Sequence, residues 1–434
     1  MASPRLVTLT LAIEPVDPLT IFHGAGARDR RYWERPAEDF ALTGIGTAWP
    51  APGDTAASVK GLKPLLRDLF QSSLAVGPEG PMGAPVLMGA FPFDPERNDP
   101  SRFGFTVPAM AVRARHGNSE LILSALVSGR DDLDAFPRLA EESAQLLSGS
   151  GSELGSLSPP WLIRDAGEFT HWRLMIDSAL AEIESGRLRK VVLARRQQLA
   201  FEKSPPAAAI IARLRDGYPD TSVFAVAEGT RCFLGASPER LVKVSGGHLF
   251  VDCLAGSVPR GHSPSEDARL ASELLVDEKN RREHMAVVEF IEASLRPLCS
   301  DLTVDSQPSV RAVPNIHHLI TRMEGSLRDD DAGVLDVAAA LSPTSAMAGI
   351  PRAAALDFIR EYEGFDRGLY AGGVGWMDLT GDGDIAVGIR SALIEGTRAN
   401  LYAGCGIVQG SESGDEWAET EWKLMPLRSA LGLA

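Results

Sequence analysis

Cysteine is scarce: Cys232, Cys253, Cys299 and Cys405 are the only four in 434 residues, with no CxxC pair and no zinc-type histidine spacing. That argues against a disulfide framework or a zinc staple and for buried or free thiols in a reducing compartment. Positive charge is short as well. Lys and Arg total 43 against 58 Asp and Glu, a net charge of −15, so neither nucleic acid nor an anionic membrane is expected as a main partner. An anionic small molecule stays open, because a local cation can hold one. No stretch approaches 18 apolar residues, and no membrane-spanning helix is expected. The opening MASPRLVTLTLAIEPVDPLTIF puts acidic residues and proline where a secretory apolar run would sit. A soluble cytoplasmic protein is the expectation. Aromatics make up only 6%, which gives little support to a glycosidase working from aromatic sugar platforms.

What is present is ordinary globular composition, 44% hydrophobic and 23% charged, in a chain long enough for a large core. Residues 1–147 mix short alternating runs (LVTLTLAI, LILSALV) with turn-rich stretches such as FPFDPERNDPSRFGF, which suggests strands. Residues 148–160 are Ser/Gly/Pro-rich and read as a linker. Residues 161–434 are more strongly patterned. Thr170 is placed to cap a helix carrying Trp172, Met175, Ile176, Ala179 and Ile183, which Gly186 ends. Strands are predicted over KVVLARRQQLAF, SVFAVAE, CFLGASPERLVKV and HLFVDCLAGSVPRG. A long helix is predicted from about Ser265 to Leu295, with Leu270, Leu274, Val287, Phe290 and Ile291 along one side. Strands outnumber helices, and hairpin turns fall near residues 246 and 382. The expected class is α/β of the α+β type, with large, mainly antiparallel sheets in the centre and helices outside.

Candidate chemistry gathers toward the end of the chain. The segment DEWAETEWKL is dense in helix formers. At roughly 100° per residue, Trp417, Leu424, Leu427 and Leu431 share one arc, and Glu416, Glu419 and Lys423 an adjoining one. Two carboxylates and an ammonium there could bind a hard cation and an anion together, or merely pair with each other on an exposed face. Glu283 points toward the apolar side of the long helix and needs a partner or a cation. Lys190 opens a strand; solvated it is inert, but enclosed it could lose its proton and act as a base. Glu239 follows an apolar strand in the turn Ser237–Pro238–Glu239, where catalytic groups tend to sit. Arg390, inside the apolar strand predicted over IAVGIRSALI (residues 385–394), invites a carboxylate partner. Gly404 and Gly406 in AGCGIV would let backbone N–H groups approach an anion. Other patterns carry less. DLTGDGD has the wrong spacing for a calcium loop, GAGARD lacks the third glycine of a dinucleotide fingerprint, and His317 and His318 lack companions at metal-ligand spacing.

Nine ordered blocks, among them KVVLARR, LGASPERLV, DEKNRREHMAVVEFI, PTSAMAGIPR, EGFDRGLYAGGVGW and AGCGIVQGSESGDEWAETEWKL, run over about residues 165–425 and resemble the chorismate-utilising enzymes, the isochorismate-forming branch most closely. The resemblance implies Mg²⁺-dependent isomerisation of chorismate. Lys190 would activate water for attack at C2, and Glu239 would protonate the departing C4 hydroxyl. Glu283 and Glu419 match metal ligands, with Glu416 near the metal through water. Arg390, Lys423 and the backbone at Gly404 and Gly406 match carboxylate-binding groups. Gly256, Ser257, His318 and Tyr370 complete the implied substrate site. Relatives that add ammonia carry Gln where Lys190 stands, and those making aminodeoxychorismate carry Lys where Ala255 stands, so water is the implied nucleophile. Tyr370 occurs in relatives that also eliminate pyruvate to give salicylate, whereas Ala346 fits the isomerase. Salicylate synthase is therefore the alternative, and a non-catalytic binding protein the remotest reading. No glutamine amidotransferase subunit is expected, and a monomer is.

Overall fold

The computed structural model describes residues 4–51, 59–77, 85–94, 96–97, 104–149, 153–163, 168–313 and 316–433. Parts of the turn-rich stretch at 91–105 and of the 148–160 stretch thus lie outside the described residues. Among those described, thirteen strands form one sheet and ten a second. Pairing is antiparallel, as between Lys190–Ala200 and Arg398–Ile407, apart from the parallel pair Arg5–Ile13 and Leu74–Val76. The first third of the chain contributes to both sheets: Arg30–Arg35 pairs with Ser222–Glu228 in the larger, and Val86–Phe91 pairs with Gly373–Asp378 in the smaller.

Strand alternation explains the layering. In SVFAVAE, Phe224 and Val226 face inward with Trp33, Phe233, Met88 and Trp376, which join the two sheets. Val223, Ala225 and Ala227 face outward beneath helices Ala207–Gly217 and Ser413–Ala430. A strand buried on both faces reads as a continuous apolar run, and this one does. Helices Glu278–Leu295 and Val334–Leu341 pack on the smaller sheet. The result is the mixed α/β architecture that the patterning predicts. Leu424 and Leu427 on the closing helix and Leu431 at its C-cap are buried, as their arc requires, while Trp417 on the same arc is half-buried against a different cluster. All four cysteines are free and buried, and no described helix is long and apolar enough to cross a membrane.

Four local expectations need correction. The long helix is two, Pro264–Val276 and Glu278–Leu295. Asp277 between them has extended backbone, and its carboxylate accepts the Asn280 N–H at 2.8 Å. A capping side chain has won over helix propagation. Thr170 is not a cap, because its helix already runs from Glu168 to Glu184. Most consequentially, IAVGIRSALI is not one strand. Gly383–Val387 belongs to the smaller sheet and Ser391–Glu395 to the larger, with Arg390 between them in the left-handed region at φ 49°. CFLGASPERLVKV divides the same way, into Arg231–Ser237 in the larger sheet and Arg240–Ser245 in the smaller. The two crossings run side by side: the Ala236 N–H donates to the Arg390 carbonyl at 3.1 Å, and the Val387 N–H to the Glu239 carbonyl at 3.0 Å. That seam is where the candidate site lies.

Candidate active site

A cavity of about 170 Å³ opens at the seam, lined by residues from both sheets and two helices. An engineered cavity of about 150 Å³ takes up benzene, so one six-membered ring fits. Lys190, Glu239, Glu283, Arg390, Glu416, Glu419 and Lys423, drawn from a span of more than 200 residues, all line it. So do Gly256, Ser257, His318, Tyr370, Gly404 and Gly406. His317 does not; its ring bonds to Asp267 at 2.8 Å.

Lys190 is buried, and its Nζ lies 2.9 Å from Glu283 Oε1. Gly406 makes room for this pair. A Cβ there would fall 2.6 Å from Glu283 Oε1 and 2.8 Å from Lys190 Cε. The glycine serves a close approach of side chains, a reason the sequence does not reveal. At Gly404 a Cβ would meet the Tyr370 hydroxyl at 3.1 Å, and the Gly404 carbonyl accepts from Lys423 Nζ at 2.9 Å.

Each of the three glutamates faces a lysine. Besides Lys190–Glu283, Lys279 meets Glu416 at 3.3 Å and Lys423 meets Glu419 at 2.5 Å. Burial alone would raise the Glu283 pKa, but Lys190, with Lys423 and Lys279, brings it below the ordinary carboxylate value. Glu416 moves the other way: burial and then the like charge of Glu419 raise it. Lys279 was not among the sequence candidates. Its one detectable signal is the i, i+4 spacing to Glu283 on a common helix face.

Glu239 is 8% exposed. Burial pushes its carboxyl up to about 7, with Lys190, Lys423 and Arg390 opposing. A carboxylic acid that keeps its proton near neutral pH is suited to donate it. Arg390 is buried too, and desolvation lowers it to about 10. Its Nη1 has no hydrogen-bond partner. A buried guanidinium with an unpaired donor in the wall of a cavity is a candidate partner for a carboxylate. His318 adds an orphan acceptor, Nε2. Burial, Arg390 and Lys423 hold its pKa well below the usual value, and its ring bonds to the Gly256 backbone. Gly256 sits at φ 78° in a bulge where the register shifts between Ala255 and Ser257, and the Ser257 N–H is tied to Asn280 Oδ1 at 3.1 Å. Tyr370 stacks on Tyr402, ring centroids 5.2 Å apart; Tyr402, also in the wall, was another residue missed in the sequence.

No three acidic, histidine or cysteine side chains among the described residues stand close enough to enclose a metal alone. The donor chemistry nonetheless fits Mg²⁺, which takes one or two carboxylates and fills its octahedron with water and substrate oxygens. Glu283, Glu416 and Glu419 are hard oxygen donors on one cavity, and the raised Glu416 marks negative charge short of compensation.

Comparison with known proteins gives a consistent picture. A family profile described as "Chorismate binding enzyme" matches residues 1–432. The chain is 36% identical to the salicylate biosynthesis isochorismate synthase of Pseudomonas aeruginosa, the alignment covering 99% of this chain and 90% of that one. It is 34% identical to the isochorismate synthase MenF of Bacillus subtilis, over 98% of this chain and 93% of that one. Among solved structures, the menaquinone-specific isochorismate synthase MenF of Escherichia coli superposes with a TM-score of 0.84 at 30% identity, covering 99% of this chain and 95% of that one.

Proposed function

The chain belongs to the chorismate-binding enzymes, and from that membership we propose that it isomerises chorismate to isochorismate in the seam cavity. The observation that carries the reading is a buried lysine and a carboxyl raised to about 7 on one cavity, beside a guanidinium with an unfilled donor. Relatives named as isochorismate synthases support it.

In this mechanism Lys190 takes a proton from a water whose oxygen bonds to C2. The ring double bonds shift and the C4–O bond breaks. Glu239 gives its proton to that oxygen, which leaves as water. One water enters and one departs, so the reaction is an isomerisation. To act as base, Lys190 must part from Glu283. Arg390 offers its free N–H to a substrate carboxylate, and Lys423 adds positive charge nearby. His318, neutral, presents an acceptor to a substrate hydroxyl. Glu283 and Glu419 would hold Mg²⁺, with Glu416 acting through water, and the ion would supply charge compensation for the ring carboxylate.

Product identification tests this directly. Purified protein with chorismate and Mg²⁺ is expected to yield isochorismate by chromatography; salicylate as the main product would favour the elimination reading, for which Tyr370 in the wall is the one structural argument. Glu419→Gln is expected to weaken Mg²⁺ binding, read by calorimetry, and to lower turnover with it. A metal titration unchanged from wild type would remove Glu419 from the metal site.

A further inference from the structure

The strand that opens with Lys190 has one continuous neighbour, Arg398–Ile407, paired from Val191 to Ala200. Its other edge is covered only in patches. Gly349–Ile350 covers Lys190 and Val191, the Ala348 carbonyl takes the Val192 N–H, and Trp161–Ile163 covers Gln198 to Ala200. Between these patches the buried backbone groups still need partners. Two side chains provide them. Glu363 Oε1 accepts the Ala194 N–H at 2.8 Å, and Arg367 Nη2 donates to the Val192 carbonyl at 2.7 Å.

Glu363 and Arg367 are also each other's counterion. Arg367 Nε donates to Glu363 Oε2 at 2.8 Å, and Nη2 bonds to Oε1 as well. Their side chains are 0% and 3% exposed. The guanidinium reaches further. Nη1 donates to the Met347 carbonyl at 2.9 Å, and the plane lies against the Phe93 ring, 4.2 Å from its centroid. The Arg367 carbonyl accepts the Tyr370 N–H at 2.9 Å. Val192, Met347 and Tyr370 belong to three segments of chain, and all three line the cavity. Arg367 therefore joins three walls, two through its guanidinium and one through its backbone carbonyl, two residues along the strand from Lys190.

We propose that Glu363 and Arg367 are a positioning pair for the reaction: they complete the open edge of the Lys190 strand and fix the lysine against Met347 and Tyr370 without touching substrate. The inference rests on the reading that chorismate is turned over in this cavity. A buried ion pair replaced as a unit by apolar residues of similar volume is often as stable or more so. What methionine or leucine cannot reproduce is a planar fork that bonds two carbonyls and a carboxylate at fixed angles.

The test uses the full chain with chorismate and Mg²⁺, and follows thermal melting and steady-state kinetics together. Arg367→Lys keeps the charge but not the fork. It is expected to lower kcat about 10²-fold, the effect of about 1 Å of misplacement, with KM within about threefold of wild type. Glu363→Met combined with Arg367→Met leaves the Ala194 N–H and the Val192 and Met347 carbonyls without these partners, so it is expected to fold with a lowered melting point and with kcat about 10²-fold down. A double variant with both melting point and kcat near wild type shows that the pair only fills space, and overturns the proposal. So does Arg367→Lys at full kcat, or a double variant that has lost its fold. Absence of isochorismate with the wild-type protein is a separate result: it ends the functional reading, and with it this one.

Discussion

Lys190→Ala is expected to lower chorismate turnover by about 10²–10⁴-fold, the contribution of one positioned acid–base group. The structure adds a second consequence. Glu283 would lose the ammonium 2.9 Å from its carboxylate, and removing one partner of a buried pair costs about 3–5 kcal/mol. Because Glu283 is partly exposed to the cavity and keeps Lys279 and Lys423 nearby, that cost falls short of the fully buried case, but lost activity in the alanine variant can still mix chemistry with a weakened fold. Lys190→Arg separates the two. A guanidinium keeps Glu283 paired yet never gives up its proton, so melting should return toward wild type while turnover does not. Chromatographic product assays and thermal melts on both variants decide the matter. An arginine variant working near the wild-type rate would take the base role away from Lys190.

Glu239→Gln is expected to cost about 10²–10⁴-fold in kcat, because an amide cannot hand over a proton. The wild-type pH profile carries the same prediction. Burial lifts the Glu239 carboxyl to about 7. The acid is needed in its protonated form, so the competent fraction of Glu239 falls as pH rises through about 7, giving a decline in activity that approaches tenfold per unit. In the glutamine variant this alkaline limb should vanish from the residual rate. A limb that persists unchanged would assign it to another group.

The amount legible in the sequence followed how local the information was. The closing helix could be read because its apolar and acidic arcs repeat within eighteen residues, Ser413–Ala430. IAVGIRSALI reads as one strand because only Arg390 and Ser391 interrupt its apolar run. Nothing in that run says that its two halves pair in different sheets, since pairing partners are distant in sequence. Asp277 was invisible as a break, because an aspartate inside a helical pattern looks like surface until its carboxylate is seen capping the Asn280 N–H. Lys190, Glu239 and Glu283 were singled out from their neighbours, but in isolation each had an ordinary alternative. The resemblance to a family, not their spacing, raised them above it. Glu363 and Arg367 were missed altogether. They lie at and beyond the end of helix Arg352–Tyr362 in a stretch, EGFDRG, that reads as a charged loop, and only the folded chain shows both buried.

The paired crossings at Glu239 and Arg390 constrain how this gene could be recombined. Each crossing borrows its register from the other through two backbone bonds, so inserting or deleting one residue in either would shift the proton donor and the guanidinium at once. Chimeras with homologous chains should therefore tolerate exchange at the hairpin tips around Gly246 and Gly381, where the backbone already turns through positive φ, and fail when the splice falls between Ser237 and Arg240 or between Val387 and Ser391.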